Sequence, residues 1–330
     1  MERNIVNGIV NTVLGPVPAD QLGVISVHEA LLSVVPGAQF AFDITIDRAE
    51  IFDTLAAKLT DFRSNGGGTI VDSTGMFHGR DVKLYEALSR ATGVHIVAST
   101  GQGPEEMLGG YFLTPQTNPP TPWPAEKFAD LFAQEVSEGM AVPRVERRGA
   151  AGIVCTATTR EGTTATDESL LRGAARAAIR TGVPVSIRSG NDAVSDLTIV
   201  LGENLPANRV VIGGCDRTDA VAAGWPLAIA RLGAYVAIDN VGSAAGSNDA
   251  EHLSDTERAT LVAELVTAGF GGQILLSSNA IGVAKGQLDS EVPFSYILTE
   301  FASALRAEGL DEAAIQRILV DNPRELLTVR

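Results

Sequence analysis

The chemistry open to this chain is bounded by a short roster of reactive side chains. The 330 residues include 4 histidines (His28, His78, His95 and His252) and 2 cysteines (Cys155 and Cys215). An imidazole near neutral pH takes or gives a proton without help from a metal. A thiol becomes a nucleophile or a proton donor when a neighbour draws on its proton. The cysteines form no CxxC pair and give no disulfide framework. Arg188 supplies a guanidinium that stays charged at any working pH and suits a bidentate grip on a carboxylate or phosphate. Asn279 can both donate and accept. Asp72, Asp239 and Asn240 stand at or beside the ends of apolar runs, where a polar wall would form.

Those runs are the elements that must position the reactive groups. Val24–His28, Thr69–Ser73, His95–Thr100, Gly152–Ala157, Val183–Arg188, Val210–Gly214, Tyr235–Asp239 and Gln273–Ser277 are short, apolar and partly β-branched. A parallel strand buried on both faces reads this way. Between them lie amphipathic stretches such as Asp81–Ala91, Glu168–Arg180 and Asp255–Ala268. Gly93, Gly182, Gly233 and Gly269 follow helical stretches, where a left-handed cap is usual. Alternating strands and helices of this number predict a (β/α)8 TIM barrel, an α/β fold, with residues 1–330 as one domain. An open doubly wound sheet is the alternative, but Val27-His28-Glu29-Ala30 is not its Gly-rich phosphate turn. Gly101–Pro124 and Ala280–Pro293 read as long loops after strands, at the rim where barrel enzymes build pockets.

The bulk numbers exclude several roles. A formal net charge of -15 repels phosphate backbones and anionic lipid, so neither nucleic acid nor membrane is an expected partner. No apolar run reaches the roughly 18 residues of a membrane span. The polar, mixed stretch from Met1 to Val13 does not read as a secretory signal, and two unpaired cysteines suit a reducing cytoplasm, so a cytoplasmic location is expected.

The order of several short motifs adds a further reading. Thr12-Val13-Leu14-Gly15-Pro16-Val17, Leu22-Gly23 and His28-Glu29 come first. Thr69-Ile70-Val71-Asp72, Gly79-Arg80-Asp81, the stretch Val94–Gly101 and Ala157-Thr158-Thr159 follow. Thr181–Val185, Arg209–Gly213 with Cys215-Asp216-Arg217, Gln273–Ser277 and Asp321-Asn322-Pro323 complete the series. In this order and spacing the chain resembles the phosphotriesterase family of the amidohydrolase superfamily. The resemblance implies a one-domain barrel, often a homodimer. It also implies two divalent metals bridged by a hydroxide. In that family they are held by two histidines on the first strand, a carbamylated lysine on the fourth, histidines on the fifth and sixth, and an aspartate on the eighth. Metals so held lower the pKa of a bound water.

This chain departs from that ligand set. His28 keeps the first histidine, but Ala30, Cys155, Arg188, Gly214 and Asn279 stand at the other positions. A fixed guanidinium at a metal position repels a cation. No dinuclear centre and no cofactor is therefore expected. The resemblance brings His28, Cys155, Arg188 and Asn279 to one pocket, with Asp72, Asp239 and Asn240 as polar walls. His28 is the expected acid–base group, Arg188 the anion anchor and Asn279 the orienting group. Two readings of Cys155 stand: a partner of His28 acting as nucleophile, or a small buried filler. Arg188 either holds a substrate anion or pairs with Asp72 or Asp239. Glu29 reads as a structural acid beneath the rim, His95 as a core histidine, His78 as an exposed rim residue and Cys215 as buried and inert. Three functions follow: a metal-independent enzyme acting on a small anionic or carbonyl-containing molecule, a catalytically silent barrel binding a ligand or partner, or a metal-dependent ester, lactone or phosphotriester hydrolase with unusual ligands.

Overall fold

A computed structural model describes residues 8–76, 78–108, 122–142, 145–243, 252–288 and 290–330. The apolar runs form parallel strands β1 (Val24–Val34), β2 (Gly67–Asp72), β3 (His95–Thr100), β4 (Ile153–Ala157), β5 (Val185–Arg188), β6 (Val210–Gly213), β7 (Tyr235–Ile238) and β8 (Ile274–Leu276). They pair in sequence order around a barrel, with helices between them. Residue alternation sorts the side chains into two apolar layers. Val154, Val185, Ile187, Val210 and Ile212 face the helices. Ile25, Val27, Val71, Val97, Ile153, Val211 and Leu275 fill the lumen. On β5 this leaves Ser186 and Arg188 pointing inward. Hairpins Ile9–Thr12/Gly15–Pro18 and Met140–Val142/Glu146–Arg148 decorate the barrel. The helices start where the sequence supplies caps. Asp81, Thr164 and Ser254 accept backbone N–H groups at three N-termini, and Gly93, Gly182 and Gly233 end helices in the left-handed region. No helix of the described residues is long and apolar enough to cross a membrane.

Two features differ from the sequence reading. β1 runs to Val34, well past His28. The segment read as a loop from Ala280 begins instead with a ninth strand, β9 (Ile281–Lys285), which pairs in parallel with the upper part of β1. The eighth barrel strand is thus split. Its lower piece, β8, pairs with β7, and its upper piece, β9, pairs with β1. Asn279, at φ 48, sits in the break. Residues 109–121 of the Gly101–Pro124 loop and residue 289 of the second loop lie outside the described residues.

Glu29 closes the seam. Its buried carboxylate accepts from Ser26 Oγ at 2.5 Å, Ser278 N at 2.9 Å and Ala280 N at 2.6 Å, tying β1 to the break in the eighth strand. Burial pushes this carboxyl up to about 7 from an ordinary 4.5, against the pull of the three hydrogen bonds. The folded chain therefore holds the proton more tightly than the unfolded one. The stabilisation from Glu29 is complete below about pH 4.5 and is lost as pH rises through about 7, a change on the order of 3 kcal/mol. Urea unfolding should show stability falling between about pH 5 and pH 8. Glu29→Gln, which has no proton to lose there, should show a shallower fall. Parallel slopes in the two proteins would remove Glu29 as the source.

Candidate active site

The site is built from β1 outward. The register between β1 and β2 shifts between Ser26 and Glu29. Val27 packs in the lumen, yet the next residue, His28, also turns inward, as an irregular strand permits. His28 crosses the mouth of the barrel. Its Nε2 lies 2.8 Å from Ser186 Oγ on β5, and its Nδ1 lies 2.8 Å from Asp239 Oδ2 just beyond β7. Exposure is 5% at His28, 5% at Ser186 and 2% at Asp239, so all three are shielded while still lining one cavity.

Asp239 is fixed on its far side as well. Its Oδ1 accepts from Gly214 N at 2.8 Å and Asn240 Nδ2 at 3.1 Å. Burial alone would raise its pKa, but the His28 hydrogen bond and charge, the nearby Arg188 and the Gly214 N–H hold it below the usual value. An ionised Asp239 places the proton of a neutral His28 ring on Nδ1, which leaves Nε2 to accept from Ser186. Gly213 makes room for this contact. A Cβ there would stand 2.7 Å from Asp239 Oδ2 and 3.4 Å from His28 Cε1.

The cavity above this line has a volume of about 330 Å³ and is lined in part by His28, Cys155, Ser186, Arg188, Asp239 and Asn279. Four of the expected residues thus meet there with Asp239. Arg188 is exposed at the mouth, and among the described residues its guanidinium makes no hydrogen bond or ion pair. The expected pairing with Asp72 or Asp239 is therefore not formed. Asp72 is also not a pocket wall. It is fully buried and accepts from Leu31 N at 2.8 Å, Tyr85 OH at 3.1 Å and the Thr74 hydroxyl. Asn240 likewise lies behind the pocket, bonding Asp216 through its N and Nδ2 and bracing Asp239. Asn279 lines the cavity, with Nδ2 3.5 Å from Asn240 Oδ1.

Cys155 is not paired directly with His28. The Ser186 hydroxyl bonds His28, and Ser186 stands opposite Cys155 in the β4–β5 ladder, with Ser99 the other hydroxyl near the thiol. Burial pushes the Cys155 thiol up to about 12, with the charge of Asp72 adding to it. Of the two readings, this environment favours an un-ionised wall residue over a thiolate. Cys215 is buried, as expected, with its Sγ on Ile212 O. His95 is half-buried, while His78 lines the cavity instead of projecting into solvent. Ser186 was missed by motif reading because it matches no ligand position. The alternation along β5, which points it inward with Arg188, was the available signal. Thr156 Oγ1 and Gln102 Oε1 also line the cavity region and have no partner among the described residues.

The two metals implied by the resemblance do not suit these residues. Both ring nitrogens of His28 are already engaged, by Asp239 and Ser186. Arg188 and Gly214 offer no ligand side chain, and Asn279 offers a neutral amide. Among the described residues no three His, Cys, Asp or Glu side chains group to hold an ion.

A parallel barrel with a polar pocket at the carboxyl ends of its strands defines a (β/α)8 protein with its cavity where barrel enzymes place their active sites. The chain belongs to the Phosphotriesterase family, whose sequence profile matches residues 8–327. It is 28% identical to the phosphotriesterase homology protein of Mycobacterium tuberculosis (strain CDC 1551 / Oshkosh), an alignment covering 96% of each chain. It is 25% identical to the N-acetyltaurine hydrolase of Salmo salar, covering 98% of this chain and 99% of that one. A solved chain described as "Molecular Engineering of Organophosphate Hydrolysis Activity from a Weak Promiscuous Lactonase Template" shares the fold. Its TM-score is 0.84 at 23% identity, over 97% of this chain and 99% of that one.

Proposed function

We propose that the chain hydrolyses a small carbonyl compound bearing a negative charge, an ester, lactone or amide, with His28 as the proton-transfer group and without a catalytic metal. The observation that carries this reading is the His28 ring held between Asp239 and Ser186, at 2.8 Å on each side, in an open cavity. A carboxylate on Nδ1 fixes the tautomer and stabilises the imidazolium that forms when Nε2 takes a proton. The Arg188 guanidinium at the mouth, without a hydrogen bond or ion pair among the described residues, supplies the anion anchor, and Asn279 orients the bound molecule. The relatives named for hydrolysis of N-acetyltaurine support the substrate class, since that compound is a small amide with an anionic sulfonate. The site works as one unit inside a single-domain barrel, alone or in a homodimer.

The test is hydrolysis of a panel of p-nitrophenyl esters, lactones and N-acyl amino sulfonates by protein stripped with a strong chelator. Turnover should survive the chelator and fall by about 10²-fold or more in His28→Ala. Activity that vanishes with the chelator and returns with added zinc or manganese would overturn the metal-free reading. Unchanged kcat in folded His28→Ala protein would remove His28 as the base.

A further inference from the structure

We propose that Ser186 is the nucleophile of this site, and that hydrolysis runs through a covalent acyl-Ser186 intermediate with Ser186, His28 and Asp239 acting as one line. This rests on the hydrolase reading above, with His28 as base, and adds the source of the proton that His28 removes.

The hydrogen bonds fix the direction of proton transfer. Asp239 accepts from His28 Nδ1, so the one acceptor lone pair of the neutral ring is at Nε2. That lone pair is taken by Ser186 Oγ at 2.8 Å. A water molecule activated by His28 would first have to displace this hydroxyl, so the proton His28 is placed to remove is the one on Ser186. Other serines near the cavity are used differently. Ser73 Oγ donates to the Glu29 carbonyl, Ser99 Oγ accepts from Gly75 N, and Ser33 Oγ accepts from Gln287 Nε2. Ser186 faces the cavity from a strand bonded on both sides, opposite Cys155 on β4 and Val211 on β6, which holds the oxygen in place. Arg188 lies two residues along on the same face, so an acyl group attacked at Ser186 has a fixed positive charge beside it. Negative charge developing on the carbonyl oxygen is stabilised by such a group.

The steps balance. Ser186 Oγ forms a bond to the carbonyl carbon as its proton passes to His28 Nε2 and the carbonyl electrons move onto oxygen. Collapse of this tetrahedral species breaks the bond to the alcohol or amine, which leaves with the proton from Nε2. Water then attacks the acyl carbon and gives its proton to His28. The carbon–Oγ bond breaks, Oγ recovers the proton, and the carboxylic acid departs. Water is the only co-reactant.

The experiment treats the full chain with a fluorophosphonate and, separately, with p-nitrophenyl acetate, with peptide mapping by mass spectrometry. A phosphonyl adduct should map to Ser186, and the ester should give a stoichiometric burst of p-nitrophenolate. Both should be lost in Ser186→Ala and His28→Ala and kept in Ser33→Ala. Steady-state turnover should fall by about 10³-fold in Ser186→Ala. Absence of an adduct at Ser186 in the wild-type chain overturns the proposal, as does an adduct that persists in His28→Ala. That readout stands even where Ser186→Ala fails to fold. Wild-type turnover in Ser186→Ala alongside an inactive His28→Ala would defeat the serine step alone and leave His28 acting on water. Loss of wild-type turnover on chelation, or indifference to His28→Ala, would defeat the hydrolase reading itself.

Discussion

Asp239→Asn is expected to lower turnover by about 10³–10⁴-fold while leaving the barrel folded. The substitution hardly changes shape. The amide oxygen would keep the bonds from Gly214 N and Asn240 Nδ2, because both reach Oδ1. That fixes the amide nitrogen where Oδ2 now meets His28 Nδ1. A nitrogen donor at that place requires Nδ1 to accept, which moves the ring proton to Nε2. The Ser186 hydroxyl then faces a donor, and the base is lost without any loss of packing. Turnover of the ester cleaved by the chelated wild-type protein would be measured beside the thermal midpoint. A variant that keeps turnover within tenfold would show that the tautomer of His28 is not set by Asp239.

Arg258→Met should give the largest loss of stability among single substitutions near the site, about 3–5 kcal/mol. Arg258, on the helix Asp255–Thr267, is completely buried. Its Nε donates to the equally buried Asp216 at 2.7 Å, and its other nitrogens reach Asp255 and Ser243 Oγ, each at 2.7 Å. Methionine fills much of the volume but leaves the Asp216 charge without its counter-ion. Asp216 also holds Asn240, which braces Asp239, so kcat should fall along with the urea midpoint. Unfolding at pH 7 measures the first effect. A change within about 1 kcal/mol would mean that Asp216 is satisfied by Asn240 and the backbone alone.

The barrel was legible in the sequence because strands buried on both faces are dominated by apolar residues, which read as short continuous runs. β3 matches its expected bounds, and β4 to β7 agree within two residues. The split eighth strand was not legible. Asn279 in a left-handed conformation ends one ladder and lets the next begin, and an asparagine before Ala280 reads equally well as the start of a loop. The site was legible in part. His28, Arg188, Asn279 and Cys155 do line one cavity, as their strand-end positions and the family resemblance imply. Asp72 looked equivalent to Asp239, since both end strands. What separates them is depth and direction: Asp72 is consumed by Leu31 N and Tyr85. Ser186 escaped notice because a serine in mid-strand carries no signature of its own. Only the imidazole placed against it by a distant strand gives it meaning.

That distance bears on when the proposed site takes shape during folding. Ser186 is 158 positions from His28 in sequence, and Asp239 is 211 positions away. β1 and β5 lie on opposite sides of the barrel, so no half of the molecule can bring imidazole and hydroxyl together. Contacts of such long range are late to form, because the loop entropy must be met before they give any return. During refolding, reactivity at Ser186 should therefore lag the recovery of helical signal and appear only as the sheet closes into a ring. The contact between His28 and Ser186 thus serves as a built-in report on whether the whole chain, first strand to last, has reached its native topology.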